Sequence, residues 1–267
     1  MPAETDSKAS SLVLDMRKPA AEFVATFLLT YIGSWAVVYG DLSLISTNGI
    51  AVAHALTLTL VIFWAGPISG GHVNPAVTTA LLLTCNIGFF EALSYYLAQF
   101  GGAIFAAMMI RGAFTPELEA FVSLRSEVGV PAPGSPFYEF PVLYGEVIGT
   151  FLLMWAVMAL GVDSSRKKTK DVVAPGVGFT LYLVIMTVGE ISGGGLNPAR
   201  SLGPALVARR FTTVQRDHLI GPLIGAVGAA FSYVVLFLLF SAKEEGVKVD
   251  VKQIEMQTDV RKQLQAS

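Results

Sequence analysis

Charged side chains are scarce in this chain, making up 14% of its 267 residues against about 25% in an average soluble domain. That shortage excludes an ordinary water-facing surface over most of the length. Cysteine is scarcer still. Cys85 stands alone, which leaves no intramolecular disulfide framework and no thiolate metal cluster; it reads as a small apolar residue in a helix. Histidine occurs only at 54, 72 and 218. One thiol and three dispersed imidazoles offer no nucleophile–base pair and no ligand set, so neither an enzyme nor a bound cofactor or metal is expected. The net charge of −2 comes without a basic stripe, and nucleic acid is not an expected partner. The polar first eighteen residues are followed by no short apolar core with a small-residue cleavage site, so no removable leader is expected.

What the chain has instead is apolar length. Hydrophobic residues make up 53% of it, the mean hydropathy is +0.61, and runs near the roughly 20 residues that cross a bilayer recur. They lie at about 20–38, 50–66, 89–110, 140–160, 175–188 and 219–240. Two shorter apolar stretches, 77–84 and the one ending at Arg209-Arg210, are too short to cross. The expected fold is an all-α membrane protein with six transmembrane helices and two half-helices. A polar tail occupies 1–18 and another 242–267; between them lies one channel domain, 19–241. Its first repeat is about 19–111 and its second about 140–241, joined by a long loop, 112–139, with prolines at 131, 133 and 136.

Lys and Arg set the orientation. With the N-terminus inside, the inner segments hold Lys8, Arg17, Lys18, four basic residues in 163–171 and five in the final tail. The outer segments hold Arg111, Arg125, Arg200, Arg209, Arg210 and Arg216. Both termini are therefore expected in the cytoplasm and the 112–139 loop outside. Ser164, Ser165 and Thr169 beside the inner basic cluster read as a solvated loop, with phosphorylation or contact with anionic lipid as alternatives.

The sequence repeats itself. Glu22 with Thr26-Phe27-Leu28-Leu29 matches Glu146 with Thr150-Phe151-Leu152-Leu153, and Gly102-Ala103 matches Gly225-Ala226. Each half holds three spans, an odd number, so the second half runs upside down relative to the first. One phrase occurs in both halves: Ser69-Gly70-Gly71-His72-Val73-Asn74-Pro75-Ala76 and Ser192-Gly193-Gly194-Gly195-Leu196-Asn197-Pro198-Ala199. Proline suits the first turn of a helix and the preceding Asn can cap it. Each phrase is thus a loop that turns into a helix of roughly 15 Å, half of a ~30 Å hydrocarbon core. Inversion makes the two half-helices dip from opposite faces and meet N-terminus to N-terminus, with two Asn amides and two positive dipole ends at the centre. Non-helical backbone at that depth survives only if buried in protein or lining a wet cavity. The result is a narrow pore of acceptors with a positive centre, suited to a small neutral solute and hostile to cations.

These residues resemble the aquaporins, or major intrinsic proteins. HVNPAVT at 72–78 and GLNPARS at 195–201 carry the likeness, which extends over about 20–241. It implies a right-handed bundle of tilted spans, one pore per subunit, a homotetramer in a plasma or organellar membrane, and a central constriction of Asn74, Pro75, Ala76, Asn197, Pro198 and Ala199. It also implies a selectivity filter of His54, Ile185, Gly194 and Arg200, picked out by their spacing from the two Asn residues. That set is similar to the one in tonoplast-type aquaporins that pass ammonia as well as water, although the histidine some of them add from the outer loop is lacking in 111–138. Glycerol facilitators resemble the chain less, since Ser201 stands where they carry Asp; Leu219 leans toward them. Glu22 and Glu146 read either as proton carriers of an inverted-repeat transporter or, as in similar channels, as acceptors that hold the two loops. His72 is expected to buttress its loop. Water, ammonia and other small neutral solutes and the lipid bilayer are the expected partners, with glycerol or urea transport and a secondary transporter as alternatives.

Overall fold

The structure is a computed structural model describing residues 15–118, 139–163 and 170–239. Residues 1–14 and 240–267 of the tails, most of the 112–139 loop and the Ser164, Ser165 and Thr169 cluster lie outside the described residues, with the expectations placed on them; the end of the first tail, Arg17 and Lys18, is already the first turn of a helix. Helices form in chain order as α1 (Arg17–Asp41), α2 (Thr47–Ser69), α3 (Pro75–Leu83), α4 (Phe89–Gly112), α5 (Glu139–Val157), α6 (Val173–Ser192), α7 (Pro198–Ala208) and α8 (Thr213–Tyr233). Two of them end in π-helical turns, α5 through Met158–Val162 and α8 through Val234–Leu239.

Among the described residues six helices are long and apolar enough to cross a membrane, and α3 and α7, of 9 and 11 residues, are the half-helices. Backbone amides in hydrocarbon must be satisfied within their own segment, which is why long apolar runs become helices here. The spans outrun their apolar cores: α1 starts at Arg17 and α8 at Thr213. Apolar composition marks the thickness of the hydrocarbon, whereas the helix ends where a cap or a turn ends it. Thr212 and Gln215 close a capping box ahead of α8, keeping polar residues such as Arg216 and Asp217 helical.

Cys85 departs from its expected place in a helix. α3 stops at Leu83, and Cys85 is exposed in the following turn with φ +59°. The Thr84 hydroxyl donates back to the Ala80 carbonyl at 2.8 Å and the Asn86 amide donates to the Thr84 carbonyl at 3.1 Å. These side chains hold the reversal that delivers the chain to α4.

The packing repeats between halves. α1 lies on α2 and α4 as α5 lies on α6 and α8, and α2 meets α6 across the seam. Each half-helix crosses over: α3 packs on α8 and α7 on α4. Backbone comes close to backbone at two equivalent glycines. A Cβ on Gly102 of α4 would strike the Phe23 carbonyl of α1, and one on Gly225 of α8 the Val147 carbonyl of α5. Small residues let helices approach without a hydrophobic force to press them together. Large apolar side chains such as Leu56, Phe63, Phe90, Leu97, Phe179 and Phe231 face outward, while Glu22, Gln99, Glu146, Arg200 and His218 are buried. That arrangement would be a liability in water and is the natural one in lipid.

Candidate functional site

The site is built from the two repeated phrases. α2 ends at Gly70 with φ +92° and α6 at Gly193 with φ +87°, so each chain turns back left-handed. Val73 and Leu196 both take φ +52°, a conformation that costs a branched or bulky residue energy. Two buried carboxylates hold it in place. Glu22 accepts from the Ser69 hydroxyl at 2.6 Å, the His72 N–H at 2.9 Å and the Val73 N–H at 2.7 Å. Glu146 accepts from the Ser192 hydroxyl at 2.8 Å, the Gly195 N–H at 2.9 Å and the Leu196 N–H at 2.6 Å.

A fourth partner differs between the halves. The Gln99 amide donates to Glu22 at 2.8 Å, whereas His218 Nε2 lies 3.4 Å from Glu146. Tyr95 donates its hydroxyl to the Ser69 carbonyl at 2.6 Å, and His218 Nε2 sits 2.7 Å from the equivalent Ser192 carbonyl. His72 stacks edge-on against Tyr95 and reaches the Thr78 hydroxyl at 3.1 Å. Ser69, Tyr95, Gln99 and Ser192 were missed as functional candidates from the sequence. The two serines stand inside the repeated phrase, and Tyr95 and His218 share its 123-residue offset, which is the signal that finds them; Gln99 falls opposite Pro222 and has no such signal.

Asn74 and Asn197 close the centre. Asn74 Oδ1 accepts from the Ala76 N–H at 2.9 Å, and Asn197 Oδ1 from Ala199 at 3.0 Å and Arg200 at 3.2 Å. Their amide nitrogens cross over: Asn74 donates to the Leu196 carbonyl at 2.9 Å and Asn197 to the Val73 carbonyl at 2.7 Å. The two half-helices therefore meet at their N-termini and are tied reciprocally. Each amide carries two hydrogens, so one remains on each beyond this tie.

A cavity of about 330 Å³ runs past this junction, lined by Asn74, Val73, Asn197 and Leu196 at the centre and by Asn86, Gly161 and Val162 toward one end. His54, Ile185, Gly194 and Arg200 all line it as well. His54 Nδ1 lies 2.9 Å from the Ile50 carbonyl, which makes Nδ1 the protonated nitrogen, and its Nε2 lies 3.4 Å from Arg200 Nη2. Gly194 takes φ +60°, and a Cβ there would touch Ile185 at 3.5 Å, so the two are neighbours on the rim. A wider cavity of about 570 Å³ shares Ile185 and includes Asp41, Thr47 and Glu190. The structure thus gathers every filter residue named from spacing and both Asn residues on one cavity, which His72 also lines, and sets Glu22 and Glu146 behind its walls.

Comparison with known proteins agrees with this geometry. A family model described as Major intrinsic protein matches residues 8–233. Aquaporin NIP2-1 of Oryza sativa is 32% identical over 86% of this chain and 73% of its own. Probable aquaporin TIP2-1 of the same species is 34% identical over 82% and 86%. Glycerol uptake facilitator protein-like 6 of Lactiplantibacillus plantarum is 35% identical over 81% and 96%. Overall identity thus does not rank the glycerol-type relative below the aquaporins. The X-ray structure of the aquaglyceroporin from Plasmodium falciparum superposes with a TM-score of 0.71 at 22% identity, over 84% of this chain and 96% of that one, a likeness of fold. With both halves inside the matched region, the chain belongs to the major intrinsic protein family, whose members are membrane channels for small neutral solutes and not enzymes.

Proposed function

We propose that this chain is a passive channel for water that also admits ammonia and turns back protons and ions. The observation that carries the reading is the reciprocal tie of Asn74 and Asn197, which sets two helix N-termini face to face on the same cavity that holds His54, Ile185, Gly194 and Arg200. Two positive dipole ends oppose a cation, and the remaining amide hydrogens orient a passing oxygen or nitrogen lone pair at mid-pore. Carbonyls from residues 70–73 and 194–196 accept its hydrogens on either side. Arg200 adds a fixed charge at the filter. There Gly194 supplies no side chain and Ile185 an apolar one, which leaves more room and less polarity than an aromatic-histidine pair would and favours ammonia beside water.

Orientation by basic residues puts both termini in the cytoplasm and the His54 end of the pore outside, and the family likeness supports a homotetramer. A second reading, glycerol transport, has the Lactiplantibacillus relative's printed name and Leu219 behind it. Stopped-flow light scattering on proteoliposomes, with water, ammonia, glycerol and urea in turn, separates the two. Fast water and ammonia flux with glycerol near the empty-liposome rate supports the first reading; fast glycerol flux supports the second. Saturable, gradient-coupled uptake would instead indicate a transporter.

A further inference from the structure

The imidazole of His54 is the largest ring on the filter, so where it rests decides the bore. Its tip is lodged against Gly33 of α1: a Cβ on Gly33 would lie 2.7 Å from His54 Cδ2 and 3.0 Å from Cε1, and nearer still to Nε2. The other side of the ring is held by Ile50 of its own helix, whose carbonyl is 2.9 Å from Nδ1. Arg200 Nη2 bounds it at 3.4 Å. The side left open is the cavity, which His54 lines.

The walls opposite each other cannot adjust to a displaced ring. His54 rides on α2 and Ile185 on α6. These helices meet where a Cβ on Gly178 would lie 2.8 Å from the Ala55 carbonyl and closer still to the Thr59 hydroxyl. That approach fixes the separation of α2 and α6 beside His54 on one helix and two turns from Ile185 on the other. A ring pushed off α1 therefore moves into the lumen rather than widening the bundle.

We infer that Gly33 is a specificity-determining residue of the pore, its missing side chain being the recess into which His54 withdraws. Gly33 touches no solute; it is a positioning residue that acts through His54. The inference rests on the water-and-ammonia reading above, and it makes the bore a joint property of α1 and α2. Even the smallest side chain at 33 narrows the filter, and a larger solute loses more than water does.

The test is a double-mutant cycle in proteoliposomes, with water, ammonia and urea fluxes measured for the wild type, Gly33→Ala, His54→Ala and the double variant. The expected result is a water flux lowered on the order of threefold to tenfold by Gly33→Ala, with ammonia, and any urea flux the wild type shows, lowered further, and no effect of Gly33→Ala once His54 is Ala. Equal losses in both backgrounds, or no loss in either, would overturn the inference. Where Gly33→Ala alone does not fold, recovery of folded protein in the double variant reports the same coupling, and failure of both overturns it. Wild-type water flux no faster than empty liposomes would overturn the underlying reading instead, so the two failures are distinguishable.

Discussion

Glu22 and Glu146 are the residues on which the site stands. Each is fully buried and each takes up donors from a loop whose Val73 or Leu196 is held at positive φ. A buried N–H left without an acceptor costs about 1–3 kcal/mol, so Glu146→Ala, which strands those of Gly195 and Leu196, is expected to cost about 2–6 kcal/mol. Glu22→Ala is expected to match it and Glu146→Gln to cost less, because the amide oxygen still accepts. Thermal unfolding in detergent reads the difference, and a midpoint unchanged by Glu146→Ala would contradict the role. The carboxylates were visible in the sequence because charge inside a span is rare. The sequence does not choose between their two readings, since the same spacing serves a proton carrier; the structure adds six loop donors around them, which is the arrangement a loop support needs. Gly33 was illegible altogether: nothing in a glycine's sequence context says which side chain from another helix fills its place.

Among the elements, the half-helices were the most legible, because Pro75 and Pro198 with their Asn caps announce a helix start. Where α3 stops was not announced. Thr84 and Asn86 end it through side-chain bonds that leave Cys85 in a turn, a contest between local partners that apolar composition does not record. The long helices are held by close backbone approach at Gly102 and Gly225. Because the obstructing atoms there are carbonyl oxygens of a packed helix, Gly225→Val is expected to destabilise the α5–α8 pair by about 1–3 kcal/mol or more. Size-exclusion chromatography of the purified variant checks it; a monodisperse variant with wild-type thermal stability would contradict the packing account. The swap of half-helices, α3 onto α8 and α7 onto α4, makes each half's pore wall depend on the other half.

For the whole molecule, the inverted repeat was readable from three spans per half and one phrase in each. The reciprocal Asn ties were not, because they join residues more than 120 positions apart. Orientation has a convenient reporter in Cys85, the lone cysteine, which is exposed beyond the end of α3. With both termini in the cytoplasm, a membrane-impermeant maleimide is expected to label Cys85 in inside-out vesicles and not in intact cells. Labelling of intact cells would reverse the assignment.

Everything proposed for this chain depends on the facing half-helices forming a continuous passive path. The water arm of the proteoliposome measurement tests it most directly when run at several temperatures beside Asn197→Asp, which replaces the amide donor to the Val73 carbonyl by an acceptor. Rapid wild-type shrinkage under osmotic shock with a low activation energy, lost in the variant, is the expected result; shrinkage no faster than empty liposomes, with the high activation energy of bare lipid, would rule the path out.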